Sequence, residues 1–420
     1  SAPYCSINAC IALLPSLDGR QIVTVEYLRE LAGGPLHPVQ QAMVDCHASQ
    51  CGFCTPGFVM AITNELNNNP APDDTALQDA IAGNLCRCTG YRPILDAARR
   101  AGAAPRVAIP SDASALRGLQ RDKIFAYETA EGKFFAPVTP DKLADVLAQY
   151  PDAHMLSGGT DVGLWVTKFH MHLPLIVYTG NIAALREIRE TDAGLEIGAA
   201  VTYSEAFAAL AQLGAGMEDL LRRLGSAHIR HAGTLGGNIA NGSPIGDGPP
   251  PLIALQAEIV LRGKDGTRRL PLEKYFLAYK KQDRKLGEFL EKIIVPKRAE
   301  NTLFATYKVS KRFDQDISAV CAGFALDMEG GVIRAARLCY GGMAATPKRA
   351  AAAETALVGQ VWGRAALDAA IAAIDSDFTP LSDMRASAEY RGRVAKNLLK
   401  RFFIETTQPD VKTEVYRHAG

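Results

Sequence analysis

Charge of one dominant sign is what this 420-residue chain most plainly lacks: 46 Lys and Arg stand against 45 Asp and Glu, a formal net charge of +1. So even a balance leaves no electrostatic footprint for nucleic acid or an anionic membrane surface, and neither is expected as a partner. The long apolar run of roughly 18 residues that a membrane-spanning helix needs is also missing. No basic stretch followed by a long apolar one opens the chain, so a signal peptide is not expected and a cytoplasmic location is. There is no G-x-S-x-G elbow, no G-x-G-x-x-G turn, no G-x-x-x-x-G-K-S/T loop and no i, i+4 histidine pair. These absences argue against a serine hydrolase, a Rossmann dinucleotide site, a P-loop NTPase and a zinc hydrolase. No catalytic acid, base or nucleophile is assigned.

Cysteine is not scarce. Of nine, four form two close pairs: Cys51 and Cys54 in Gln50-Cys51-Gly52-Phe53-Cys54-Thr55-Pro56-Gly57-Phe58, and Cys86 and Cys88 in Asn84-Leu85-Cys86-Arg87-Cys88-Thr89-Gly90-Tyr91-Arg92-Pro93. Each pair is followed by Thr, a Gly and an aromatic residue, with Pro nearby, and then by an apolar-periodic run, so each is read as sitting at a helix start. Free N–H groups and positive dipole ends would then face the thiolates from both sides. Four thiolates suit a structural zinc or a [2Fe–2S] cluster. Reduced, buried cysteines are the bland reading, since free Cys is among the most buried residue types.

Apolar residues make up 48% and charged residues 22%, a globular composition with room for several domains. Pro38 opens a helix that leads into the first cysteine pair, and Val23–Glu26 is expected as a strand. After Arg100 the periodicity fades into a linker. From Phe135 strands and helices alternate, with Thr139 and Thr202 as helix caps and strands expected at 155–157, 175–178, 195–202, 253–261 and 289–294. From about Phe304 to Arg349 the alternation predicts antiparallel strands with one buried face. Helices over 350–373 and 384–403 and a loose tail after Glu405 complete the expected order.

Two glycine-bearing stretches have a shared design: Leu156-Ser157-Gly158-Gly159-Thr160-Asp161-Val162-Gly163 and Thr234-Leu235-Gly236-Gly237-Asn238, the second running on through Ser243 to Asp247. Glycine permits close backbone approach, so successive N–H groups can cradle an anion such as a pyrophosphate. An ordinary tight turn is the alternative for each. Lys311 and Asp316, on a mixed-charge stretch, read as a solvated edge or as the rim of a binding site.

On the cysteine motif, the two glycine stretches and Leu338-Cys339-Tyr340-Gly341-Gly342-Met343-Ala344, the chain resembles the molybdenum hydroxylases, the family of xanthine dehydrogenase and aldehyde oxidase. Asn241–Pro250 and Ser310–Cys321 resemble in particular the small subunit of the bacterial two-subunit xanthine dehydrogenases. The resemblance implies an α+β multidomain fold. A helical [2Fe–2S] domain would span 1–100 and a linker 101–125. An α+β FAD-binding domain of the PCMH/vanillyl-alcohol-oxidase kind would span 126–298, and a C-terminal domain of antiparallel sheet plus helices 299–410. It implies cluster ligands Cys51, Cys54, Cys86 and Cys88, with Gln50 reaching a molybdopterin on a partner subunit. FAD would lie along Leu156–Gly163 and Thr234–Asn238, with Ser243 and Asp247 nearer the ring and Lys311 and Asp316 at its outer face. Leu224 stands where an aromatic residue stacks on the flavin in the dehydrogenases.

The implied function is electron transfer: from a molybdenum-cofactor-binding large subunit, in a heterodimer of dimers, through [2Fe–2S] to FAD and on to NAD, during oxidation of hypoxanthine or xanthine to urate. The same role in oxidation of an aldehyde, an N-heterocycle or carbon monoxide is the alternative. A zinc-stapled nucleotide-binding protein without a redox role is another. The resemblance also implies that the chain lacks the family's N-terminal ferredoxin-like domain, leaving Cys10 a plain thiol.

Overall fold

The structure is a computed structural model that describes residues 4–413. Two compact units divide the chain. One takes in the chain up to Val138, with Gly159–Tyr178 and Gly225–Gly233; the other takes in Thr139–Gly158, Thr179–Leu224 and the chain from Thr234 onward.

The first unit contains helices Pro38–Asp45, Thr55–Asn68, Asp74–Ile81 and Arg92–Ala103. Pro stands in the first turn of three of them, where its missing N–H costs nothing. Leu28, Met43, Phe58, Ile62, Ile81 and Ile94 form their common core. Val23–Glu26 is no strand; these residues run without regular structure into the turn before helix Tyr27–Leu31. A run of four β-branched and polar residues with no neighbouring strand has nothing to satisfy its backbone groups in a ladder. Within the stretch read as linker stands a further helix, Ala113–Gly118, whose start is capped by the Asp112 carboxylate accepting the Ala115 N–H. Strands Phe125–Glu128 and Lys133–Ala136 pair antiparallel, and the latter pairs in parallel with Leu175–Tyr178.

Besides a two-stranded antiparallel sheet of Phe276–Ala278 and Lys281–Gln282, the second unit holds two larger antiparallel sheets. In the first, five strands lie in the order Ile188–Thr191, Gly194–Gly198, Phe289–Pro296, Glu258–Gly263, Gly266–Pro271. Helices Pro140–Gln149 and Tyr203–Ala211 start where Thr139 and Thr202 cap them, and Glu205 completes a capping box with Thr202. Residues 253–254 are helical rather than strand. Three consecutive prolines begin helix Pro249–Ala254, and the strand starts only at Glu258.

The second sheet runs Thr302–Val309, Val320–Glu329, Val332–Gly341, Lys348–Arg349. Both of its faces are covered, which corrects the single buried face expected from the alternation. Phe324 packs against Phe402 of helix Ala388–Thr407, ring centroids 5.7 Å apart. Its neighbour Gly323 faces the opposite way. A Cβ there would stand 2.5 Å from Pro251 Cα, so helix Pro249–Ala254 lies directly on the strand. The last helix also continues to Thr407, past the point where a loose tail was expected. This is the α+β multidomain architecture: an N-terminal helical part, an α+β part, and a C-terminal sheet-plus-helix part.

Candidate cofactor sites

Both cysteine pairs do precede helices. Cys54 is the N-cap of Thr55–Asn68, and Tyr91, three residues past Cys88, is the N-cap of Arg92–Ala103. Gly52 and Gly90 turn the chain in the left-handed region, at φ of 83° and 71°, a conformation that costs other residues energy. Tyr91 takes a positive φ of 69° as well, held by Phe58 against the edge of its ring and by the Cys86 N–H donating to its hydroxyl at 3.0 Å.

All four cysteines are free thiols. They meet across the motifs, with Cys51 Sγ 3.6 Å from Cys88 Sγ and Cys54 beside Cys86. Among the described residues no three His, Cys, Asp or Glu side chains converge on a point for one ion. The thiols instead form two pairs, and a [2Fe–2S] cluster takes four thiolates shared between two irons. The surroundings favour thiolate at Cys86 and Cys51 and oppose it at Cys54 and Cys88. The Thr89 hydroxyl and then the Thr89 N–H, donating at 3.4 Å, draw Cys86 down to about 7. The Phe53 N–H lowers Cys51. Burial, with Cys86 alongside, pushes Cys54 up to about 11, and Cys51 raises Cys88. Thiols crowded this closely cannot all ionise without a cation among them. The donor set therefore fits an iron–sulfur cluster. Cys51 and Cys88 are exposed, as are Phe53 and Leu85 beside them in the chain. Gln50 donates from Nε2 to the Cys88 carbonyl at 3.3 Å, at the same surface.

The first glycine stretch is divided between the units after Gly158. In the second unit, strand His154–Leu156 delivers Ser157, whose Oγ is buried without a hydrogen-bond partner. In the first unit, Gly159 turns at φ 72°, Thr160 follows, and Asp161 precedes helix Val162–Thr167, its carboxylate accepting from Trp165 Nε1 at 3.1 Å. Gly163 is buried for packing: a Cβ there would come within 2.7 Å of Ile11 Cβ.

Thr234 caps helix Leu235–Ala240 by accepting the Gly237 N–H at 3.0 Å. Its two glycines differ. A Cβ on Gly236 would lie 2.5 Å from the Ala199 carbonyl oxygen, so Gly236 lets the helix seat on the chain at Ala199; Gly237 is only partly buried. Asn238 Oδ1 and the Tyr203 hydroxyl are both buried, unpartnered and aimed at Gly248, whose Cα would tolerate no side chain between them. Orphaned polar atoms at Ser157, Asn238 and Tyr203 leave hydrogen-bonding capacity that a polar cofactor can satisfy. The residues thus fit a dinucleotide.

Ser243 Oγ accepts the Ile245 N–H at 3.4 Å. Lys311 is exposed and donates to the Met384 carbonyl, and Asp316 accepts the Arg312 N–H at 3.0 Å. Burial tends to raise Asp316, but that amide and the Arg312 charge hold it below the usual carboxylate range. Asp247 sits in a buried ion pair. It is buried, 2.6 Å from Lys308 Nζ, and its other oxygen accepts from Ser318 Oγ at 2.5 Å. Lys308 and Ser318 escaped the sequence reading because a lysine within an alternating strand looks like an outward-facing residue. Arg223 escaped it too. This buried side chain donates to the Lys308 carbonyl at 3.0 Å and to Ser310 Oγ, and lies over the Phe313 ring. Leu224, next to it, packs partly buried against the hydrophobic core.

Three families match in order along the chain: the [2Fe–2S] binding domain over 24–99, the FAD binding domain in molybdopterin dehydrogenase over 127–298, and the CO dehydrogenase flavoprotein C-terminal domain over 305–406. Among curated proteins, xanthine dehydrogenase of Emericella nidulans is 29% identical over 95% of this chain, and aldehyde oxidase 1 of Bos taurus 28% over 96%. The chain spans about a third of the length of these relatives, 34% of each. Of solved structures, the reconstituted CO dehydrogenase from Oligotropha carboxidovorans is 30% identical, with a TM-score of 0.57 over 63% of this chain and 94% of that one. The carbon monoxide dehydrogenase from Hydrogenophaga pseudoflava is 27% identical, with a TM-score of 0.61 over 66% and 96%.

The expectation that the chain lacks an N-terminal ferredoxin-like domain is corrected by the first of these matches, which sets a [2Fe–2S] binding domain at its N-terminal end. That match also supersedes the zinc reading. The likeness is spread across xanthine dehydrogenases, aldehyde oxidase and CO dehydrogenases, and so supports the family rather than a bacterial xanthine dehydrogenase in particular. With an iron–sulfur domain, a flavin domain and the flavoprotein C-terminal domain in this order, the chain belongs to the molybdenum-hydroxylase flavoprotein family.

Proposed function

We propose that this chain is the electron-transfer subunit of a molybdenum hydroxylase that oxidises carbon monoxide, an aldehyde or an N-heterocycle on a partner subunit. The observation that carries the reading is the set of four free thiols paired across two helix starts, Cys51 with Cys88 and Cys54 with Cys86. When bound, a [2Fe–2S] cluster supplies single-electron relay, and FAD supplies the exchange between one- and two-electron transfer. Cys51, Cys54, Cys86 and Cys88 hold the cluster. Exposed Phe53, Leu85 and Gln50 offer the molybdenum-cofactor-binding large subunit a surface beside it. In the second unit, Ser157, Gly158, Gly236, Gly237 and Asn238 bind the dinucleotide. Ser243 and Asp247 lie toward the ring, and Lys311 and Asp316 toward its outer face. Among the described residues no helix is long and apolar enough to cross a membrane. A cytoplasmic complex, a heterodimer of dimers, is the proposed assembly.

A visible spectrum with iron and flavin quantified per chain tests the reading. Two irons or more with one FAD are expected, and neither iron nor flavin after anaerobic reconstitution would defeat it. The second reading is xanthine dehydrogenase with NAD as electron acceptor, favoured by curated xanthine dehydrogenases that align along 95% of the chain. Turnover assays of the complex on carbon monoxide, quinoline, an aldehyde and hypoxanthine, each with NAD or a dye as acceptor, separate the two. The purified chain alone should hydroxylate none of them.

A further inference from the structure

One buried histidine in the first unit belongs to neither cofactor site. His228 is 5% exposed, and its Nδ1 has no hydrogen-bond partner. It lies in helix Ala227–Ala232, begun by Ser226, whose Oγ accepts the Ile229 N–H at 3.3 Å. The helix leads into Gly233, the residue before the Thr234 cap of the flavin-binding stretch. Its imidazole rests on the backbone at Gly83. A Cβ built on Gly83 would overlap His228 Nδ1 and come within 2.7 Å of Cε1 and 3.0 Å of Ser226 Oγ.

Gly83 stands in the short turn between helix Asp74–Ile81 and Cys86. The next residue, Asn84, is fitted as closely on the other motif: a Cβ on Gly57, in the helix that Cys54 begins, would lie 2.5 Å from Asn84 Oδ1. Two glycines without side chains therefore seat one turn against two helices. That turn feeds Cys86 and Cys88. Interiors are packed too densely for such a seat to shift without cost.

We infer that His228 is a positioning residue for electron transfer: its imidazole, seated on Gly83, fastens the turn that carries Cys86 and Cys88 to the segment that leads into the flavin-binding stretch. The inference rests on the proposed cluster and flavin, and the role is one of placement. No proton or electron is assigned to His228. The closest obstacle to a side chain at 83 is the His228 ring, with Ser226 Oγ next, so positions 83 and 228 are complementary in volume.

The test uses the full chain in its holo complex, as Gly83→Ala, His228→Ala, the double variant and His228→Gln. Readouts are iron and flavin per chain, the electron paramagnetic resonance line shape and midpoint potential of the cluster, and the rate at which reduced cluster gives up its electron to flavin. Gly83→Ala should retain iron, broaden the cluster signal, shift its potential and slow the transfer by roughly tenfold to a hundredfold, the scale of a small misplacement. His228→Ala should do the same more weakly, and His228→Gln should stay near the parent. The double variant should recover much of the loss, since the alanine methyl enters the space the ring leaves. Parent-like line shape, potential and rate in both single variants, or losses that simply add in the double, would overturn the inference. Iron-free or flavin-free parent protein would instead overturn the proposed function.

Discussion

Replacing Lys308 by Met should be among the most damaging single changes in the flavin-bearing unit. The lysine side chain is 1% exposed and that of its partner Asp247 10%. Its Nζ lies 2.6 Å from Asp247 Oδ2 and donates to Ser318 Oγ at 2.9 Å, while that hydroxyl donates to the other carboxylate oxygen. Methionine matches the lysine stem in length but leaves the carboxylate buried with one hydroxyl for company. Breaking such a pair on one side costs about 3–5 kcal/mol. At roughly 2–4 °C per kcal/mol for a unit of this size, the melting temperature should fall by roughly 6–20 °C. Removing both charges, as Lys308→Met with Asp247→Leu, should recover most of that loss, because the desolvation penalty leaves with the ions. Thermal melts followed by circular dichroism, with and without excess FAD, separate the ion pair from flavin linkage, since bound ligand adds its own stabilisation. A single variant melting within about 2 °C of the parent, or a double variant less stable than the single, would refute the reasoning.

Cys51→Ser should lose most of the iron and loosen the helical core of the first unit, because cluster binding and folding are coupled; iron analysis and a melt check this. Gly236→Val should unfold or strongly destabilise the second unit through its clash with the Ala199 backbone, whereas Gly237→Val, whose Cβ would meet only the Thr234 hydroxyl at 2.8 Å, should cost less stability and lower FAD occupancy; melts and flavin content would distinguish the two. Burial, with the neighbouring charges of His231 and Arg230, pushes His228 down to about 4 from an ordinary 6.5. The unfolded chain therefore takes up that proton first. The stability this neutral ring contributes is whole above pH 6.5 and drains away as pH falls toward 4, by up to about 3 kcal/mol. Denaturation from pH 7 to 4 should show this slope in the parent and a flatter one in His228→Gln. Equal slopes would refute it.

Local signals in the sequence told a good deal about the fold. Thr139, Thr202 and Pro38 mark helix starts because caps and N1 prolines act within one turn of chain. The cysteine motif points to its own helix starts for the same reason. Contacts between distant residues were illegible. Lys308 and Asp247 are 61 residues apart, and nothing local distinguishes a buried lysine from an exposed one. The second covered face of the C-terminal sheet depends on a proline-rich helix more than 60 residues upstream of the strand it covers, so Gly323 reads as a weakness in a strand until Pro251 is seen against it. Val23–Glu26 shows the converse: strand-forming residues remain irregular where no neighbour offers a ladder.

Cys51 and Cys88, exposed and 3.6 Å apart, bear on how the chain must be built in the cell. Before iron and sulfide arrive, an oxidant would find two neighbouring thiols, one of them lowered toward its reactive form. Their disulfide would consume half of the proposed ligand set in one step. If these thiols hold the proposed cluster, chain overproduced faster than iron is delivered should accumulate an oxidised form that added iron cannot rescue until a reductant reopens the pair.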